Sequence, residues 1–151
     1  MVRLNNKGFT LVELLAVMVV LAIIMIIAIP SVMSTMSDAQ RGMFKIYAEK
    51  VLNKAQEAYQ SDVLLGTTSS HSKNYGYCYS LREHLELGES SQYHGYVIIT
   101  VDSKLKPTFY VTLTDTYFSI TNYTYADLTN PATFAAASSS ITDTCPATFT
   151  P

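Results

Sequence analysis

Residues 9–29 read FTLVELLAVMVVLAIIMIIAI, and the fold follows from how this stretch is interpreted. Its only charged residue is Glu13. At 1.5 Å per residue, 21 residues of helix reach about 31 Å, close to the roughly 30 Å of a bilayer's hydrocarbon core. Inside lipid the backbone must satisfy its own polar groups, so the segment is predicted to be helical despite its many β-branched residues. Arg3 and Lys7 precede it, and the next charge is Asp38. Positive flanks stay cytoplasmic, which places the C-terminal bulk outside. A cleaved secretory signal fits poorly: the apolar run is too long, and Ala28-Ile29-Pro30 makes a poor cleavage site. A plain membrane anchor remains open at this point.

Glu13 strains the plain-anchor interpretation. A lone carboxylate in lipid costs several kcal/mol unless it is paired or neutralised, and such residues usually have a task. No basic residue lies three or four positions away. The expected partner is therefore a neighbouring molecule, the bilayer edge or a proton. Cleavage between Gly8 and Phe9 would create a positive amine four residues from Glu13.

Residues 7–30, KGFTLVELLAVMVVLAIIMIIAIP, resemble the N-terminus of type IV pilins and of the pseudopilins of type II secretion and competence systems. The resemblance implies a leader of residues 1–8, with basic Arg3 and Lys7, that ends at Gly8. It implies cleavage by a membrane prepilin peptidase and N-methylation of Phe9. Glu13 falls on the acidic residue that neutralises the amine of an adjacent subunit, and Pro30 on a proline where the helix loosens or bends. Ala22 stands where the family often has glycine. The implied partners are sister subunits, the prepilin peptidase and an inner-membrane assembly platform, with the membrane holding the precursor before assembly. Physics agrees with the implied role, because a helix apolar on every side must be buried in lipid or in other protein.

Beyond the stem, proline at position 30 is expected to bend the helix rather than end it, since a helical pattern resumes. Met36, Ala39, Met43, Ile46, Tyr47, Val51, Ala55 and Ala58 recur at spacings of three and four, an amphipathic stripe. Lys45–Glu49 and Lys54–Glu57 are spaced as ion pairs. Gly42 suggests a close contact or a flexible point, and the helix should run to about Gln60. Residues 66–76 read as loop. Ser80-Leu-Arg-Glu83 fits a capping box, predicting a short helix to about Leu87 closed by Gly88. Strands are predicted at 95–101, 108–114 and 117–122, with Phe109, Val111 and Leu113 alternating against Tyr110, Thr112 and Thr114. The predicted fold class is α+β: a long helical spine, transmembrane in its first half, packed on a small antiparallel sheet, type IV pilin-like. The implied organisation is a leader at 1–8, an assembly helix at 9–30, and an amphipathic helix with an extracytoplasmic head at 31–151.

The whole chain has 151 residues, 48% apolar and 15% charged, which suits one domain and excludes a disordered chain. Cys78 and Cys145 are its only cysteines. On the outside a bridge between them can persist, with two free thiols as the alternative. Many pilins also staple a C-terminal region with two cysteines. His71, His84 and His94 match no metal-site spacing, and Asp115, Asp127 and Asp143 form no calcium loop. No cofactor is expected, and no nucleophile or phosphate-loop motif occurs. Asn122-Tyr-Thr124 is a weak glycosylation acceptor. Beyond residue 60 only Lys73, Arg82, Lys104 and Lys106 are basic, against eight acids, so nucleic acid is not an expected partner. The tyrosines are instead expected at subunit contacts and on the sheet surface. The predicted function is a non-enzymatic structural subunit of a type IV pilus or related surface filament. The alternatives are a pseudopilin of a secretion or DNA-uptake machine, and a monomeric anchored extracellular binding domain.

Overall fold

The computed structural model describes residues 10–87 and 92–149. Helix α1 spans Leu11–Leu65, and Pro30 lies inside it without ending it. The chain divides into two compact units, Met1–Ala39 and Gln40–Pro151, and α1 contributes to both. In the first unit the helix is long and apolar enough to cross a membrane, and Leu11 to Ile29 expose their apolar side chains. Just after Pro30 the Ser34 and Thr35 hydroxyls each donate to the Ser31 carbonyl at 3.0 Å.

In the second unit, strands β1 (Ser72–Lys73), β2 (Gly76–Ser80), β3 (His94–Val101), β4 (Pro107–Thr114), β5 (Phe118–Tyr123) and β6 (Ala135–Ala136) form one antiparallel sheet in sequential order. The three predicted strands are β3, β4 and β5. Three more flank them: β1 and β2 arise within or beside the stretch read as loop, and β6 in the Ala/Ser-rich tail. A tight turn joins β4 to β5, with Asp115 Oδ1 accepting from the Tyr117 and Phe118 amides at 2.7 and 2.6 Å. Asp102 Oδ1 does the same for Lys104 and Lys106, both at 2.8 Å, in the turn before β4. Each is a local polar contact that competes well with extended pairing.

The helix covers the sheet with Phe44, Ala48, Val51, Leu52 and Ala55, all buried. They meet Val97, Ile99, Val111, Leu113, Phe118 and Ile120 from the strands. Phe44 packs on Phe118 and Phe134 with ring centroids 6.0 and 5.4 Å apart. Fully burying side chains of this size contributes about 1.5–3 kcal/mol each. The buried face is rotated from the predicted stripe. Val51 and Ala55 belong to both, but Met43 and Ile46 are 65% and 66% exposed, and Met36 is exposed too. Apolar residues adjoin on both sides (Met43-Phe44, Ile46-Tyr47), so periodicity alone leaves the phase open. Alanine at 48 and 55 lets the backbone approach the sheet.

The expected short helix after Ser80 is a correction. Residues 81–84 form a turn instead. Ser80 Oγ accepts from the Glu83 amide at 3.2 Å, one arm of a capping box. The other arm is lost because His84 Nδ1, not Glu83, accepts from the Ser80 amide at 2.9 Å. Glu86 then enters the left-handed region at φ 53°, which ends helical continuation. Gly88, the predicted stop, lies outside the described residues.

The sheet's second face is only partly open to solvent. Cys78, Ile98, Thr112 and Thr114 are buried beneath the irregular tail. Hydrogen bonds and the Cys78–Cys145 disulfide, rather than periodic structure, hold that tail. Ser138 N donates to Thr114 Oγ1 at 3.2 Å, Tyr75 Oη to the Pro146 carbonyl at 2.7 Å, and Gly95 N to Asp143 Oδ1 at 2.9 Å.

Candidate assembly site

Glu13 lies in the first turn of α1, and its own chain satisfies it. The Thr10 amide donates to Glu13 Oε2 at 2.9 Å, and the Thr10 hydroxyl donates to the same oxygen at 3.0 Å. In return the Glu13 amide donates to Thr10 Oγ1 at 3.3 Å. This is a reciprocal capping box, and it places the carboxylate at the positive end of the helix dipole. Thr10, a neutral residue, supplies the contacts that no basic side chain offers. The sequence signal was present as Thr10-Leu-Val-Glu13, the same pattern recognised at Ser80. Below the cap, the apolar side chains of α1 as far as Ile29 are exposed on every side, and Glu13 is the only charged residue of this helix before Asp38. Chemically this is an exposed apolar stem with one charged end. Gly8, Phe9, Arg3 and Lys7, predicted for the leader and its cleavage, lie outside the described residues.

In the second unit Cys78 and Cys145 form a disulfide with Cα atoms 6.1 Å apart. The bridge ties the tail to the outer face of β2, where Cys78 pairs opposite Ile98. Beside it Phe149 packs between Tyr75 and Tyr110, at 5.8 and 5.3 Å. The tyrosines are largely occupied within the head. Tyr47 stacks on Tyr93 at 3.8 Å, Tyr59 tilts against Tyr77 at 5.3 Å, and Tyr79 is buried. Tyr117 and Tyr125 remain about half exposed or more.

Among the described residues no group of three or more His, Cys, Asp or Glu is placed to hold a metal ion. His94 and Arg82 both face Asp143, at 3.0 and 3.5 Å. His71 and His84 instead meet beside Asp62 and Tyr79. Asn122, in the glycosylation pattern, has φ 57° and accepts from Thr112 Oγ1 at 3.3 Å across the bulge between β4 and β5. Gly42 has no close neighbour in the chain: a Cβ there would meet nothing within 4 Å.

Residues 3–29 match the model of the prokaryotic N-terminal methylation motif. The match takes in Gly8, Phe9, Thr10 and Glu13. No curated protein and no solved structure matches the chain. The motif is consistent with type IV pilins and pseudopilins, and the helix that carries it runs on into a head where it packs on an antiparallel sheet, the arrangement of a pilin fold.

Proposed function

We propose that this chain is the structural subunit, the pilin, of a type IV pilus or a related cell-surface filament. The N-terminal helix holds the precursor in the membrane with the head outside. A prepilin peptidase hydrolyses the Gly8–Phe9 amide, leaving a carboxylate on Gly8 and an amine on Phe9, which is then methylated. An assembly platform in the inner membrane passes the mature chain from lipid to sister helices. In that packed core Glu13 faces the Phe9 amine of an adjacent subunit, since an unpaired buried charge is strongly penalised. Pro30 gives the stem a place to bend as it packs.

The methylation motif at residues 3–29, carried into a helix apolar on all sides with one capped carboxylate, supports this reading above all else. The test is the mass of the mature chain together with imaging of surface fibres. The chain should lack residues 1–8 and gain about 14 Da on Phe9. Peptides from it should make up long purified filaments. Short periplasm-spanning fibres only would move the assignment to a pseudopilin, which shares the motif. An uncut chain that stays single in the membrane would leave a plain anchor.

A further inference from the structure

Four pieces of the head meet at one polar cluster. Asp62 comes from the last turn of α1, His71 from the 3-10 turn Thr68–His71, Tyr79 from β2 and His84 from the turn that follows it. Tyr79 Oη donates to Asp62 Oδ2 at 2.6 Å, and Thr67 Oγ1 donates to Oδ1 at 2.9 Å. His71 Nε2 lies 3.4 Å from Asp62 Oδ2. The His71 ring stacks on Tyr79 at 4.6 Å and meets His84 edge-on at 4.5 Å. The His71 Nδ1 is buried and has no hydrogen-bond partner.

The Ser80 amide fixes the protonation state of His84. It donates to Nδ1 at 2.9 Å, so that nitrogen must carry a lone pair. His84 is therefore neutral, with its proton on Nε2. A proton on Nδ1 would set one donor against another. The charges around it are mixed. His71 and Lys73 oppose a positive His84, while Glu83 and Asp62 favour one. Lys54, Glu57 and Glu86 line the shallow pocket beside it, and Lys54 is engaged with Glu57 at 2.7 Å. Burial, followed by the neighbouring His71, holds His84 below the ordinary histidine range.

We propose that His84 and the Ser80 amide form an acid-sensitive latch that holds the turn after β2 closed beside Asp62, His71 and Tyr79 at the end of α1. A solvent proton taken up at His84 Nδ1 removes the acceptor of the Ser80 amide, and the turn lifts. That turn carries Leu81 and Leu85 into the core, and the Leu87 carbonyl accepts from Tyr47 Oη at 2.9 Å. Opening therefore uncovers apolar surface next to α1. Because protonation favours the open form, the latch is fully closed above the free-histidine value of 6.5 and weakens as pH falls through the lower value of His84. The latch depends on the head alone and stands whether or not the chain polymerises.

The test is histidine 15N NMR with amide-exchange protection on the full chain in detergent micelles, from about pH 7.5 to about pH 5. The expected spectrum shows an unprotonated His84 Nδ1 at neutral pH and a transition below 6.5. Over the interval between 6.5 and that transition, Ser80 protection, corrected for intrinsic exchange, should fall by about tenfold per pH unit. In His84→Asn the side-chain carbonyl replaces the acceptor and cannot take up a proton, so Ser80 protection should stay level. A protonated Nδ1 at neutral pH, a transition at or above 6.5, or unchanged Ser80 protection in the unmodified chain overturns the latch even if the variant does not fold.

Discussion

Replacing Cys145 with serine removes the bridge while leaving the Cys78 side chain in place beneath the tail. The two cysteines are 67 positions apart. Opening a loop of that size returns chain entropy to the unfolded state worth about 4 kcal/mol at 25 °C. Cys78 is buried and Cys145 is half-buried, so the serine goes where packing is least demanding. The other tail contacts survive: Tyr75 on Pro146, Asp143 on Gly95, and Phe149 between Tyr75 and Tyr110. The head should therefore keep its fold but lose a large part of a typical 5–15 kcal/mol of stability, by order of magnitude. The assay is urea unfolding of the full chain in detergent, followed by tyrosine fluorescence. With a slope of about 1.5 kcal/mol per molar, the midpoint should drop by nearly 3 M. The unmodified protein refolded under reducing conditions should show the same drop. Coincident midpoints for oxidised, reduced and C145S protein would refute the reasoning, because the tail would then be held by its noncovalent contacts alone.

Glu13→Ala should abolish filaments while leaving the head folded, and Thr10→Val should weaken assembly less, since the Thr10 amide still reaches the carboxylate; fibre yield against circular dichroism separates the two effects. Gly42→Ala should stabilise the head by up to about 1 kcal/mol in thermal or urea unfolding, because the helix gains and a Cβ meets nothing in the chain. Gly95→Ala should cost about 3 kcal/mol or more, since at φ 157° its Cβ would sit 2.1 Å from the Thr112 carbonyl oxygen; soluble expression and melting temperature report it. Burial raises the Asp62 carboxyl, but hydrogen bonds from Tyr79 and Thr67 and the nearby His71 and His84 bring it below 3.8 overall. Its stabilisation is complete above 3.8 and disappears as pH falls through the lowered value, so Asp62→Asn should flatten that acid limb in urea titrations.

The stem was readable because its signals are local and redundant. An apolar run, a basic flank and G-F-T-L-V-E at 8–13 all lie within one short stretch. Strand β4 was readable from its alternation, and β3 and β5 as short β-branched and aromatic runs bounded by turn residues. What escaped depends on distant partners. The phase of the helix stripe is set by which strand residues it meets, and Met43 and Phe44 look alike until the sheet is in place. The Ser80–Glu83 spacing predicts a capping box, yet only one arm forms, because His84 takes the amide that Glu83 would have bound. At Thr10 the same pattern operates in full, hidden in sequence by the apolar run that follows it. The tail has no periodicity to detect. Its role in covering the outer face rests on single contacts such as Asp143 to Gly95.

The sheet runs in chain order and ends at both sides in strands of only two residues, Ser72–Lys73 and Ala135–Ala136. So short a margin offers few free backbone donors and acceptors to a neighbouring sheet. In the filament proposed above the heads would stand shoulder to shoulder at very high local concentration, where longer borders would invite one sheet to annex the next. Truncated borders let such domains crowd together yet remain separate molecules.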